Sequence, residues 1–292
     1  GYKGRIELFN DRISDTLYIK QPLTGVQEED VVSIKVTQYP TDTKAFEGKI
    51  TQIIGHKGEV GLDILEVLYA MKIPQEFSAE TLAEAESFSE ELTQEDLQGR
   101  EDYRNEITYT IDGEDSKDLD DAIHVKKLSN GHFELGVHIA DVSHYVTEGS
   151  SLNEEAYARA TSVYVTDRVV PMLPVRLSNN LCSLNEAQER LTMSCLMEID
   201  DKGKIVTYKI SPSVIKTTYR MTYSNVNKMI HQGQEGHREA LEKFSKIADS
   251  IEVAVELHEI LETMRKDRGM IEFDESEAKI ILDDEGQPIE IV

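Results

Sequence analysis

The chain has no tryptophan, two cysteines and seven prolines in 292 residues. Cys182 and Cys195 have no Cys-x-x-Cys spacing, which excludes a disulfide framework and a cysteine zinc site. Their apolar surroundings instead predict buried free thiols in a reducing cytoplasm. No apolar run approaches the roughly 18 residues of a membrane span, and the polar, mixed first 30 residues do not read as a signal peptide. Basic residues are scarce, 31 against 56 acids for a net charge of −25, so strong nonspecific nucleic-acid binding is not expected. The deficit is uneven. Residues 71–121 hold 17 acids and 4 bases, whereas residues 162–220 hold 8 bases, Arg168, Arg176 and Arg220 among them, and 6 acids. That second stretch is compatible with a local phosphate track. A GxxxxGK[ST] loop and a GxSxG elbow are both missing, and His258-Glu259 fails as a zinc helix because position 262 is Glu.

The densest chemistry lies in Thr110-Ile-Asp-Gly-Glu-Asp-Ser-Lys-Asp-Leu-Asp-Asp-Ala-Ile-His-Val125. Five aspartates (Asp112, Asp115, Asp118, Asp120, Asp121) and Glu114 stand between two strand-like segments, Ile107 to Ile111 and Ala122 to Val125. Like charges in a partly dry place are unfavourable unless a cation joins them. Mg²⁺ fits, being hard and oxygen-seeking. The spacing does not fit an EF-hand, which needs Gly at its sixth position and Glu at its twelfth. A solvated acidic turn is the bland alternative.

Ser129-Asn130-Gly131-His132 predicts a hairpin with a two-residue type I′ loop. Lys127 would then face Glu134, Ile123 would face His138, and Asp120 would face Asp141, adding Asp141 and its neighbour His138 to the site's surroundings. A bulge would shift that register by one. His138 and His144 flank Asp141, and for His138 a structural hydrogen-bonding role competes with a site role. Tyr164, just before Asp167-Arg168, reads either as strand core or as a base-stacking ring.

Residues 1–70 read as short alternating strands, part of an OB-type β-barrel. Residues 71–105 read as an acidic helical connector. Ser78 would cap one helix, Thr93 to Asp96 would form a capping box, and Gly99 would stop the second. Residues 106–292 mix strands and helices. Ser151-Leu-Asn-Glu154 predicts a capping box, and apolar spacing predicts one helix from about Glu235 to Arg268, stopped by Gly269. The fold class is α+β. Strand-like sequence at both ends predicts a segment of a longer protein.

These residues carry a family resemblance. The run from Thr110 to Ala122 resembles the signature of the RNB exoribonucleases, the ribonuclease II and ribonuclease R type, and most resembles the bacterial ribonuclease R branch. Supporting blocks follow in the family's order: Gly136 to Val146, Asp167 to Pro174, Leu177 to Leu184, Arg190 to Ser194, and Ile271 to Asp274. The resemblance implies a cold-shock barrel ahead of an RNB catalytic domain. It also implies a Mg²⁺-dependent 3′→5′ hydrolytic exoribonuclease that engages the 3′ end of single-stranded RNA and releases nucleoside 5′-monophosphates. It places the family's four acidic positions on Asp112, Asp118, Asp120 and Asp121, and its base-stacking tyrosine on Tyr164. It further implies a first cold-shock barrel, a downstream catalytic arginine and glutamate, and an S1 domain that have no counterpart here. A non-catalytic RNA-binding or scaffold relative is the competing expectation.

Overall fold

In the computed structural model, residues 1–9, 13, 15–273 and 278–292 are described. The chain divides into two compact units. The first comprises residues 1–76, residues 163–170 and the C-terminal strands Ile280–Leu282 and Pro288–Ile291. Its four-stranded sheet runs in the order Gly4–Ile6, Leu17–Ile19, Phe46–His56, Asp30–Gln38. Three register shifts interrupt the pairing of the two long strands, the kind of bulging that bends a sheet toward a barrel wall. Leu17, Ile19 and Phe46 are buried, and Ile34, Val36 and Ile50 pack on them. The stretch expected to be all-β ends in a helix, Leu62–Ala70, whose apolar residues recur at helical spacing.

The second unit is built on a seven-stranded mixed sheet. Its order is Tyr219–Thr222, Tyr109–Asp112, Asp121–Lys127, Phe133–Ala140, Glu189–Ile199, Ile205–Lys216, Glu101–Asp102. The first pair and the last pair are parallel and the rest antiparallel. Leu119, Ala122, Ala140 and Ile215 pack with Leu152, Leu177, Leu181 and Leu184. Tyr109 and Met221 pack with Met229, Phe244 and Ile251, and Val125, Phe133 and Ile199 with Leu257. The sheet is therefore enclosed by helical and loop segments, the α+β arrangement.

Several local expectations are corrected. The hairpin loop has three residues, not two: Leu128 N–H donates to His132 C=O (2.8 Å) and Gly131 N–H to Leu128 C=O (3.0 Å). In this loop Gly131 has a positive φ of 88° and Asn130 does not, which is a type I turn closed by a left-handed residue rather than type I′. Every cross-strand pair shifts by one. Lys127 faces Phe133 and Ala122 faces His138, while Lys126 Nζ meets the carboxylate of Glu134 at 2.8 Å. Asp120 C=O accepts from Ala140 N–H (2.9 Å), so Asp120 lies opposite Ala140 and not Asp141.

The helix expected to be capped by Ser151 is capped by Ser150, whose Oγ accepts from Asn153 N–H at 3.2 Å. The long C-terminal helix is broken. His237–Lys243 and Ala248–Asp267 are separated by a 3₁₀ turn, Ser245–Ile247, where Phe244 and Ile247 turn inward. Thr93 and Asp96 close their reciprocal box (2.7 and 3.2 Å), but only turns follow before Gly99. Ser78 caps Ala79–Ser87 as expected. Cys182 and Cys195 are free, the first buried and the second half-buried. Asp274 lies outside the described residues. Among the described residues, no helix is long and apolar enough to cross a membrane.

Candidate active site

Asp112 is the last residue of the strand Tyr109–Asp112, and Asp121 is the first of the next strand, Asp121–Lys127. The intervening loop is pinned by one apolar residue. Leu119, between Asp118 and Asp120, is fully buried beside Leu177 and Leu184. Burying such a side chain contributes about 1.5–3 kcal/mol. Its backbone is held as well: Leu119 N–H donates to Ser183 Oγ (3.0 Å), and Leu184 N–H donates to Leu119 C=O (2.9 Å). Local folding thus turns the flanking aspartates away from the apolar core while fixing their backbone.

The electrostatics are strained in one direction. Burial, and then the charges of Asp121 and Asp118, raise the pKa of Asp112, with Arg220 opposing. The Thr110 hydroxyl also opposes the rise, yet no hydrogen bond of ordinary geometry joins it to Asp112. Asp112 Oδ2 is buried without a hydrogen-bond partner among the described residues. Asp120 keeps an exposed face, but protein packed around its carboxyl, followed by the charges of Asp118, Asp121 and Asp112, raises its pKa too. An orphaned buried carboxylate oxygen amid like charges fits a hard divalent cation. The carboxylates themselves stand apart: among the described residues, no three His, Cys, Asp or Glu side chains are grouped so that they could hold a metal ion.

The other expected site residues are placed as follows. Asp141 is buried and ion-paired with Arg100 at 2.7 Å. His138 is fully buried. Its Nε2 lies 3.0 Å from His124 Nδ1 and its Nδ1 lies 2.6 Å from Ser194 Oγ, so it is part of a polar seam inside the sheet. His144 pairs with Asp96 at 3.2 Å. Arg176 donates to the carbonyls of Ala85 (3.1 Å) and Phe88 (2.7 Å), closing the end of helix Ala79–Ser87. Arg220 Nη2 faces the carbonyls of Gly113, Glu114 and Ser116. Tyr164 and Arg168 belong to the first unit, where Val163–Tyr164 pairs with Val169–Val170. Tyr164 is 66% exposed and so is not a core residue. Arg168 forks onto Asp167.

The sequence reading missed Ser183 and Leu119. Leu119 had a signal, a lone apolar residue in an acidic run; Ser183 stood only within the Leu177 to Leu184 block, and its role depends on a contact across 64 residues.

Residues 100–292 match the RNB domain and residues 6–78 match a cold shock domain. The chain belongs to the RNB family. It is 90% identical over 292 residues to Ribonuclease R 2 of Lactococcus lactis subsp. lactis (strain IL1403), covering all of this chain and 44% of that protein. The chain therefore spans less than half the length of this relative. Its fold resembles Mycoplasma genitalium RNase R in complex with double-stranded RNA (TM-score 0.86, 30% identity, covering 95% of this chain and 49% of that one). The likeness extends to the same protein in complex with ribose-methylated single-stranded RNA (TM-score 0.86, 30% identity, 96% and 43%). Yeast Ssd1, a pseudonuclease, shares the fold alone at 20% identity (TM-score 0.59, 83% and 32%).

Proposed function

We propose that this chain carries the metal-binding aspartates of a Mg²⁺-dependent 3′→5′ exoribonuclease that hydrolyses RNA processively to nucleoside 5′-monophosphates. The observation that carries the reading is the buried, unpartnered Asp112 oxygen within a group of four mutually repelling carboxylates. Asp112 and Asp121 would hold one cation; Asp118 and Asp120 would hold a second or orient the attacking water. When bound, divalent ions neutralise phosphate oxygens and acidify water at neutral pH. The exposed Tyr164 ring offers a surface for stacking a base, and Arg168 a charge for phosphate. Arg176 and Arg220 commit donors inside the protein, whereas Arg168, though forked onto Asp167, is exposed in the turn after the exposed Tyr164, so this reading keeps Tyr164 and Arg168 as the RNA contacts. RNA as the partner is supported by the relative solved with ribose-methylated single-stranded RNA; engagement of a single-stranded 3′ end is part of the proposal. Free cysteines suit a cytoplasmic setting.

Fold alone does not separate this from a non-catalytic RNA-binding relative, since a pseudonuclease shares it. The presence of all four aspartates favours the enzyme. The test is full-length protein incubated with 5′-labelled RNA and Mg²⁺, with and without EDTA, beside Asp120→Asn. Shortening from the 3′ end that stops with EDTA, and that Asp120→Asn abolishes while RNA binding persists, is the expected result. Turnover that resists EDTA, or near-normal turnover in the variant, would overturn the proposal.

A further inference from the structure

The loop between Asp112 and Leu119 is held by two side chains from distant sequence. Arg220 Nη2 lies 3.3 Å from the carbonyl oxygen of Gly113 and 2.8 Å from those of Glu114 and Ser116. Two hydrogens thus serve three acceptors. At the far end, Ser183 Oγ donates to Lys117 C=O (2.8 Å) and accepts from Leu119 N–H (3.0 Å). Backbone polar groups that leave water need such partners, and here two residues supply them.

Both anchors are themselves fixed. Arg220 sits in the strand Tyr219–Thr222, opposite Thr110 in the parallel ladder with Tyr109–Asp112. Its own N–H donates to Glu186 Oε2 at 3.0 Å. Ser183 is fully buried, and its carbonyl accepts from Arg190 Nε at 3.0 Å. One end of the acidic loop is therefore tied to the strand that pairs with the one delivering Asp112. The other is tied to the segment that buries Leu119 between Asp118 and Asp120.

We propose that Arg220 and Ser183 are positioning residues that set the spacing between Asp112 and the Asp118, Asp120 and Asp121 group for cation binding. The inference rests on the metal reading above and adds to it the residues that hold the loop. Arg220, counted from sequence as an RNA contact, acts on the loop instead. Lysine is a poor replacement, because its stem is shorter and flexible and has no rigid guanidinium plane to aim those hydrogens at the carbonyls.

The test is Mn²⁺ titrated into RNA-free, full-length protein, followed by the electron paramagnetic resonance signal of free Mn²⁺. Sites abolished by Asp112→Asn are the ones that count. Arg220→Lys and Ser183→Ala should each weaken them by about 10-fold or more, the usual effect of removing a group that orients metal ligands. The Mg²⁺ concentration for half-maximal cleavage should rise by a similar factor, with the rate recovering at saturating Mg²⁺ and metal-free RNA affinity unchanged. Circular dichroism establishes folding; if Arg220→Lys does not fold, Ser183→Ala, which removes one hydroxyl, decides the matter. Unchanged Mn²⁺ binding in the folded variants would overturn the proposal. Weaker RNA binding by Arg220→Gln, which removes the charge, with a salt slope reduced by about one, would reassign Arg220 to a phosphate contact. Wild-type protein with no Asp112-dependent Mn²⁺ binding would sink the metal reading itself, and this inference with it.

Discussion

Arg100 Nη2 lies 2.7 Å from Asp141 Oδ2, with the two side chains only 10% and 7% exposed. The same guanidinium reaches the carbonyls of Thr192 (3.5 Å) and Ser213 (3.4 Å), so the pair ties the connector to two central strands. Burial works against the Asp141 charge, yet hydrogen bonds from Ser143 and Arg100 hold its pKa below the ordinary value. A depressed carboxyl pKa gives stability that is present above the unfolded value near 4 and lost as pH falls through the folded one. Asp141→Ala leaves a buried arginine unpaired and should cost about 3–5 kcal/mol in urea melts at pH 7. The cost should shrink at pH 3, and a loss below about 1 kcal/mol at neutral pH would show that the pair is dispensable.

The His138 imidazole is held neutral. Burial first, and then the neighbouring His124, push its pKa down to about 3, and burial lowers that of His124 as well. The unfolded chain therefore binds more protons than the folded one below the ordinary histidine value near 6.5. Stability from His138 is complete above that pH and falls toward about 3, at up to about 1.4 kcal/mol per pH unit. Urea melts between pH 7 and 4.5 should show this slope, and His138→Gln should flatten it. An equal slope in the variant would assign the acid sensitivity to other groups.

Leu119→Ala should destabilise the protein by about 2–5 kcal/mol, because it empties a fully buried site in the cluster around Leu177 and Leu184. Thermal or urea melts measure this directly. A change within about 0.5 kcal/mol, as at an ordinary surface position, would mean that the acidic loop is not anchored through its leucine.

Tyr164→Ala should leave stability within about 0.5 kcal/mol of wild type, since the ring is 66% exposed. If the ring stacks on RNA, about 1–3 kcal/mol of binding is lost, and the limit product of digestion lengthens. Unchanged products with a lower melting temperature would return Tyr164 to a structural role.

Sequence alone determined the features that depend on neighbours in the chain. Strand-like segments predicted the strands around the acidic loop, the crowding of carboxylates marked the candidate site, and Ser78 announced a cap that forms. Local signals also marked the hairpin, but Asn-Gly suits two loop lengths, and the backbone of Asn130 decided between them. That single choice moved Asp141 away from Asp120 and into a pair with Arg100. Helical spacing ran unbroken through Phe244, yet the backbone breaks there into the 3₁₀ turn Ser245–Ile247, with Phe244 and Ile247 both buried. Tertiary structure decided what depended on distant segments: the register, the partner of each buried charge, and the use of Arg220 and Ser183 to hold the loop. A charged or hydroxyl side chain shows its donors in the sequence, but which acceptors they meet depends on segments that folding brings together across 41 to 104 residues.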